Sequence, residues 1–164
     1  MESPVLSLPN ANTSFDPSEY NPILLATQVD INRYWPYISE LLGRCVDKTM
    51  RGEVSVSDIY HRALNGMCFI FVVAKDTTEG PDVRLAIVME PAIYPELNAM
   101  NIVALAGDHL MAFHERYWKA LCGWCFMNGA RAIEGFVNPA MERIVNKFGF
   151  ERTSVHVRCA IDGN

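Results

Sequence analysis

Residues 131–151, RAIEGFVNPAMERIVNKFGFE, hold the unit from which the rest of the chain can be read. Arg131 to Val137 is a short β-rich run. It is followed by Asn138, whose side chain can cap a helix, and by Pro139, whose preset φ and missing N–H suit a first helical turn. Gly149 marks that helix's end, since glycine readily takes the left-handed conformation that stops a helix. The predicted unit is a strand, a sharp capped turn and a short helix.

Upstream, Leu110 to Asn128 contains no proline and many helix formers, and Gly129 stands where a helix would stop. A long helix joining two strands predicts a right-handed crossover and a locally parallel pair. Earlier still, Met67–Ala74 (MCFIFVVA) and Val83–Glu90 (VRLAIVME) are apolar strand runs joined by the polar turn Asp-Thr-Thr-Glu-Gly-Pro, a hairpin signal. Met100–Ala106 (MNIVALA) is a further strand after the proline-punctuated loop PAIYPELNA.

Two helices are predicted before the hairpin. The first has Pro36 in its first turn and Trp35, Ile38, Leu41, Leu42 and Cys45 on one face. The second starts near Ser55, with Asp58 three residues on, and stops at Asn65-Gly66. Ile23–Val29 is read as the first strand and Ser154–Ile161 (SVHVRCAI) as the last. The expected class is therefore α/β (α+β), a mixed twisted sheet in the order β-α-α-β-β-β-α-β-α-β. Residues 1–22, with prolines at 4, 9, 17 and 22 and no periodicity, read as an extended arm, and 23–164 as the domain.

Composition narrows the function classes. At 164 residues, 50% of them hydrophobic, the chain suits one core. A formal charge of -5 without any Lys/Arg run excludes tracking of a phosphate backbone, so no nucleic acid is expected. The start MESPVLSLPNANTSF lacks a secretory pattern, no apolar run is long enough for a bilayer, and a cytoplasmic protein is expected. Five scattered cysteines do not form a disulfide framework. Cys122 and Cys125 make a C-x-x-C deep inside a helix rather than at its N-terminus, which reads as two buried thiols and not a redox or zinc pair.

The element order, with Asn138, Ile144, Lys147, Phe148, Gly149 and Phe150 at matching spacing, resembles the GNAT (Gcn5-related N-acetyltransferase) superfamily. A looser similarity, carried by Trp35-Pro36 and by the Leu64-Asn65-Gly66 helix end, is to the GNAT-like proteins of tailed phages. The resemblance implies acetyl-CoA as cofactor if the protein is active. It also implies a pyrophosphate grip between the fourth strand and the long helix, where the family shows Gln/Arg-x-x-Gly-x-Gly/Ala. Here neither Ala106-Gly107-Asp108 nor His109–His114 matches, and Gly107 alone is available to hold the cofactor. Asp108 reads as a helix cap whose charge would repel a diphosphate. The family's thiolate-protonating Tyr is replaced by Val145; Tyr117 and Tyr60 are its nearest substitutes.

The remaining site candidates are Asn138, which the resemblance places on the pantetheine arm, and Glu90 as the base; Glu134, His109 and His114 are alternatives. No metal-ligand spacing stands out. The long helix is apolar around much of its circumference, so a partner protein or a second copy is expected on the arm and on the 110–128 helix, unless the surplus packs under the arm itself. Two functions stay open. One is a non-catalytic GNAT-fold protein, a phage virion or host-interaction component. The other is an active N-acyltransferase moving an acetyl group from acetyl-CoA to an amine.

Overall fold

In three central strands, alternate residues are apolar on both faces, so the sheet must be covered on both sides. A computed structural model describes residues 15–49 and 53–161 and shows how. The elements are β1 (Asn21–Leu24), α1 (Gln28–Thr49), α2 (Val56–Leu64), β2 (Phe69–Thr77), β3 (Gly80–Ile93), β4 (Asn98–Gly107), α3 (Leu110–Met127), β5 (Ala132–Gly135) and α4 (Pro139–Val145). They build one sheet in the order β1-β2-β3-β4-β5. The first three pairings are antiparallel and β4–β5 is parallel, as the crossover through α3 predicts.

One face carries α1 and α2, which bury Ile38, Leu42 and Ile59 against Ile70, Val72, Val88 and Ala104. The other face carries α3, which buries Phe113 with Tyr20, Val73 and Leu85, and Cys125 with Met89 and Met100. Each such side chain contributes about 1.5–3 kcal/mol by leaving water.

The α1 boundary differs from the expected one. Thr27 Oγ1 accepts from the Asp30 amide at 3.1 Å while Asp30 Oδ2 accepts from the Thr27 amide at 3.2 Å. This reciprocal cap starts the helix at Gln28, so Gln28 and Val29 are helical and the strand ends at Leu24. Pro36 consequently lies inside α1 rather than in its first turn, and is held there by the packing of Tyr34, Ile38 and Leu42. The α2 reading matches at its start, with Ser55 and Asp58 forming a full capping box.

The last strand is not formed: residues 151–161 carry no ladder and are exposed. Arg152 is held by Glu142 and Arg158 by Glu53, which fixes the segment by side chains instead of backbone pairing. Of the arm, residues 1–14 lie outside the described residues. Its end docks firmly: Tyr20 is 2% exposed and donates to Asp82 at 2.8 Å, while Tyr117 donates to the Tyr20 carbonyl. Phe15 stacks on His109 at 3.7 Å and meets Phe113 edge-on at 5.6 Å.

These contacts account for part of the apolar surplus of α3. Phe148 and Phe150 account for more, the first stacked 3.7 Å from His114 and the second 5.6 Å from Trp118. Trp124 is edge-on to Phe69 and Phe71 in the sheet. Cys125 is buried and Cys122 half-buried; burial raises both thiols, Cys125 to about 11, and raises Cys68 likewise to about 11. At such a value about one thiol in a thousand is ionised at pH 8.

Two β-bulges shape the sheet. Val73 faces Leu85 but Ala74 faces Val83, leaving Arg84 as an extra residue in β3. Val88 faces Ala104 but Met89 faces Ile102, leaving Val103 as an extra residue in β4. At the end of β4, Gly107 has φ +138, and an added Cβ would collide with the Arg84 carbonyl and sit 2.8 Å from Leu85 Cα.

Gly107→Ala should therefore destabilise the fold by about 3 kcal/mol, read as a lower urea midpoint at unchanged slope. In the native protein at pH 8, a disulfide reagent should titrate exposed Cys159 first, with Cys68 and Cys125 reacting only on unfolding. Rapid native reaction of Cys125 would contradict its burial.

Candidate functional site

Parallel pairing of β4 with β5 runs only from Ala99↔Ala132 to Ile102↔Gly135. The bulge at Val103 follows at once, and β4 continues to Gly107 paired with β3 only, while β5 ends. The two strands thus part into a splay whose mouth lies beside Gly107, where the sequence reading placed a cofactor grip.

The edge of β4 facing the splay carries backbone groups that do not pair with β3. Asp108 N donates to Arg84 O at 2.9 Å, which extends the β3–β4 ladder. In an antiparallel ladder, alternate residues direct N–H and C=O away from the partner. Leu105 and Gly107 therefore direct theirs away from β3, and Cys45 of α1 confirms it by donating to Leu105 O at 3.3 Å. Leu41, Arg44 and Cys45 with Leu105–Asp108 line an open pocket of about 230 Å³. Arg44 is ion-paired with Glu40 at 2.6 Å, so it brings no net positive charge to a bound anion.

At the α3 start, the expected Asp108 cap is not made. The N-cap residue is His109, in the left-handed region at φ 59, ψ 34, with no side-chain cap bond. Its ring lies under Phe15. The Asp108 amide is spent on Arg84 O, and the Asp108 side chain stays exposed near the turn. A diphosphate site built from a helix N-terminus needs free amides and no competing anion; here the exposed Asp108 carboxylate is such an anion.

The other candidates fall in separate places. Asn138 Oδ1 accepts from the Met141 amide at 2.8 Å and caps α4. Glu90 lies opposite Asn101, six residues along β4 from Gly107, so about 20 Å separates them at about 3.3 Å per residue. Its carboxylate is ion-paired with Arg62 of α2 and accepts from Asn101 Nδ2 at 3.4 Å. Glu134 accepts from Tyr94. His114 is packed between Trp118 and Phe148, where burial lowers its pKa. Tyr117 is committed to the arm and Tyr60 to Asn32, so neither stands in for a thiolate-protonating acid.

Sequence reasoning missed Arg62, which neutralises Glu90, and the α1 residues Leu41, Arg44 and Cys45 that wall the pocket. Leu41 and Cys45 were legible as an apolar helix face; their position over β4 is a tertiary fact with no local signal. Among the described residues no three His, Cys, Asp or Glu side chains converge as a metal site. No described helix is long and apolar enough to cross a membrane.

No family model and no curated protein matches this sequence. Solved structures do match in shape. A probable acetyltransferase superposes with TM-score 0.62 at 9% identity, covering 88% of this chain and 99% of its own. Glucosamine-6-phosphate N-acetyltransferase from Arabidopsis thaliana gives 0.56 at 14%, covering 87% and 99%. A predicted acetyltransferase with acetyl-CoA from Clostridium acetobutylicum gives 0.60 at 10%, covering 86% and 96%. At these identities the likeness concerns architecture, and on it the chain has the GNAT acetyltransferase fold, with the mixed sheet expected from the order of its elements.

Proposed function

We propose that this protein keeps the acetyltransferase architecture without the chemistry and acts through contacts with other proteins, as a phage virion or host-interaction component would. The observation that carries this reading is the β4–α3 turn. There the Asp108 carboxylate is exposed just before α3, and the N-cap residue His109 is stacked against Phe15. A diphosphate approaching this helix end would meet a negative charge beside it.

Transfer to an amine also requires a base for the amine proton and an acid for the departing thiolate. Glu90 is the base candidate, but its oxygens are engaged by Arg62 and Asn101. Position 145 is a valine within α4, so the acid is missing there. Exposed Phe126 and Met127 at the end of α3, and Phe136 and Val137 beyond β5, offer apolar surface suited to protein contact.

One observation favours the alternative, an N-acyltransferase using acetyl-CoA: the splay itself is open. A cofactor held at Gly107 and lying extended along β4 would bring its reacting end towards Glu90.

Calorimetric titration with acetyl-CoA, paired with a thermal-shift series, decides between them. The expected result is no saturable heat and no shift at millimolar cofactor. A ligand at a hundredfold excess over its Kd would add about 2.7 kcal/mol of stability, which such a series would detect. Saturable binding, with acetyl transfer to an amine that falls at least tenfold in Glu90→Gln, would overturn the proposal.

A further inference from the structure

We propose that residues 138–150, α4 with the turn that follows it, form a latch that docks on α3 through ring stacking and is released in acid when His114 takes up a proton. This is a property of the fold and holds under either functional reading. Among the described residues Ala130 is the last that is buried, and Ile133 is the last packed against a buried cluster. Within the latch the backbone bonds to itself: the amides of Glu142, Gly149 and Phe150 donate to the carbonyls of Asn138, Asn146 and Val145. Among the described residues no backbone hydrogen bond joins it to the sheet or to α3. α4 has 7 residues, too few for a helix to persist alone in water, so it depends on its attachment.

That attachment is made of rings. Phe148 lies 3.7 Å from the His114 ring with the planes 12° apart, Phe150 lies 5.6 Å from Trp118, and His114 and Trp118 are themselves stacked at 5.3 Å. All four side chains are half-buried. A unit that adds nothing to the buried core opens at a lower free energy than the whole fold.

His114 makes this attachment respond to acid. Its Nε2 is buried and, among the described residues, has no hydrogen-bond partner. Imidazolium carries an N–H on both nitrogens, so protonation in the docked state would bury an unpaired charged donor. Desolvation accordingly holds the His114 pKa below its ordinary value, outweighing Glu115, its neighbour on α3, which favours the charged ring. Arg116 of α3 donates to Tyr117 at 3.0 Å. On the latch side Lys147 is exposed beside Phe148, and Glu151 and Arg152 follow Phe150, with Arg152 held by Glu142. A lowered pKa makes the neutral ring the docked form. Docking is therefore complete above the unfolded-chain value of about 6.5 and weakens as the pH falls through it.

The test is native-state amide hydrogen exchange at pH 8 and pH 5, corrected for intrinsic rates, on the Glu142, Gly149 and Phe150 amides, with the Ile70 and Val88 amides of the core as reference. Glu142 stays ionised over this range, because Arg152 holds its carboxyl below the usual value. The latch amides should open more readily than the core at both pH values. Acid should lower their protection at least threefold relative to the core, which corresponds to about half a pKa unit. His114→Phe keeps a ring in the stack that cannot be protonated, so its protection should be equal at both pH values. His156→Gln, which removes the other histidine of the C-terminal part, should respond like the unaltered protein. In an NMR titration of the unaltered protein, the His114 midpoint should lie below that of the urea-unfolded chain.

Equal latch protection at both pH values, a response that survives in His114→Phe or is lost in His156→Gln, or latch amides that open only together with the core would overturn the proposal. So would a His114 midpoint at or above the unfolded value, since the rings would then hold imidazolium by cation–π attraction and acid would not release the latch.

Discussion

The contact on which the architecture depends is the backbone junction between Arg84 in β3 and Gly107-Asp108 at the end of β4. The Arg84 carbonyl receives the Asp108 amide at 2.9 Å and leaves no room for a side chain at position 107. This junction sets where β4 stops and therefore where α3 begins. The left-handed residue His109 then turns the chain into α3, which crosses the sheet and delivers β5 parallel to β4. Docking of the arm depends on the same corner, since Phe15, Tyr20, Phe113 and Leu85 form one cluster over it.

That corner separates what sheet geometry specifies from what particular turn residues specify. A GNAT-type site needs two things from the β4–α3 connection, a strand end that leaves β5 and a turn that offers amides to a diphosphate. The first follows from sheet geometry, through the Val103 bulge and the end of pairing at Ile102. The second depends on particular residues, and Asp108-His109 replace it with a charge and a stacked ring. Selection on packing alone would preserve the splay and Gly107, because both are built into the β3–β4 junction. It would not preserve an open turn.

How much of this was legible in the sequence follows the same division. Segments with strong local signals were placed correctly: Asn138-Pro139 does cap a short helix, Ser55 and Asp58 do form a capping box, and Leu110 does open the long helix. Where two local signals competed, the reading of α1 followed Pro36 and passed over the Thr27–Asp30 cap, which starts the helix eight residues before the proline. Ser154–Ile161 has the alternation of a strand, but pairing needs a neighbour, and no local pattern reports whether one is within reach. The site was less legible than the fold. Glu90 was visible as a strand carboxylate, whereas Arg62, which changes what that carboxylate can do, comes from a helix twenty-eight residues away in sequence.

Glu90 also shows why residue type alone decides little about function. A partly exposed strand carboxylate suggests a base, but its worth as a base depends on what already holds its oxygens. Here the guanidinium of Arg62 and the amide of Asn101 hold the oxygens at the α2 side of the sheet. The pair costs little to maintain because both side chains keep some water, and it ties α2 to β3 next to the buried row of Ile59 and Ala63. An ion pair that serves packing and a base that serves catalysis make opposite demands on the same carboxylate. In this structure the Glu90 carboxylate is ion-paired with Arg62 on the α2 side of the sheet.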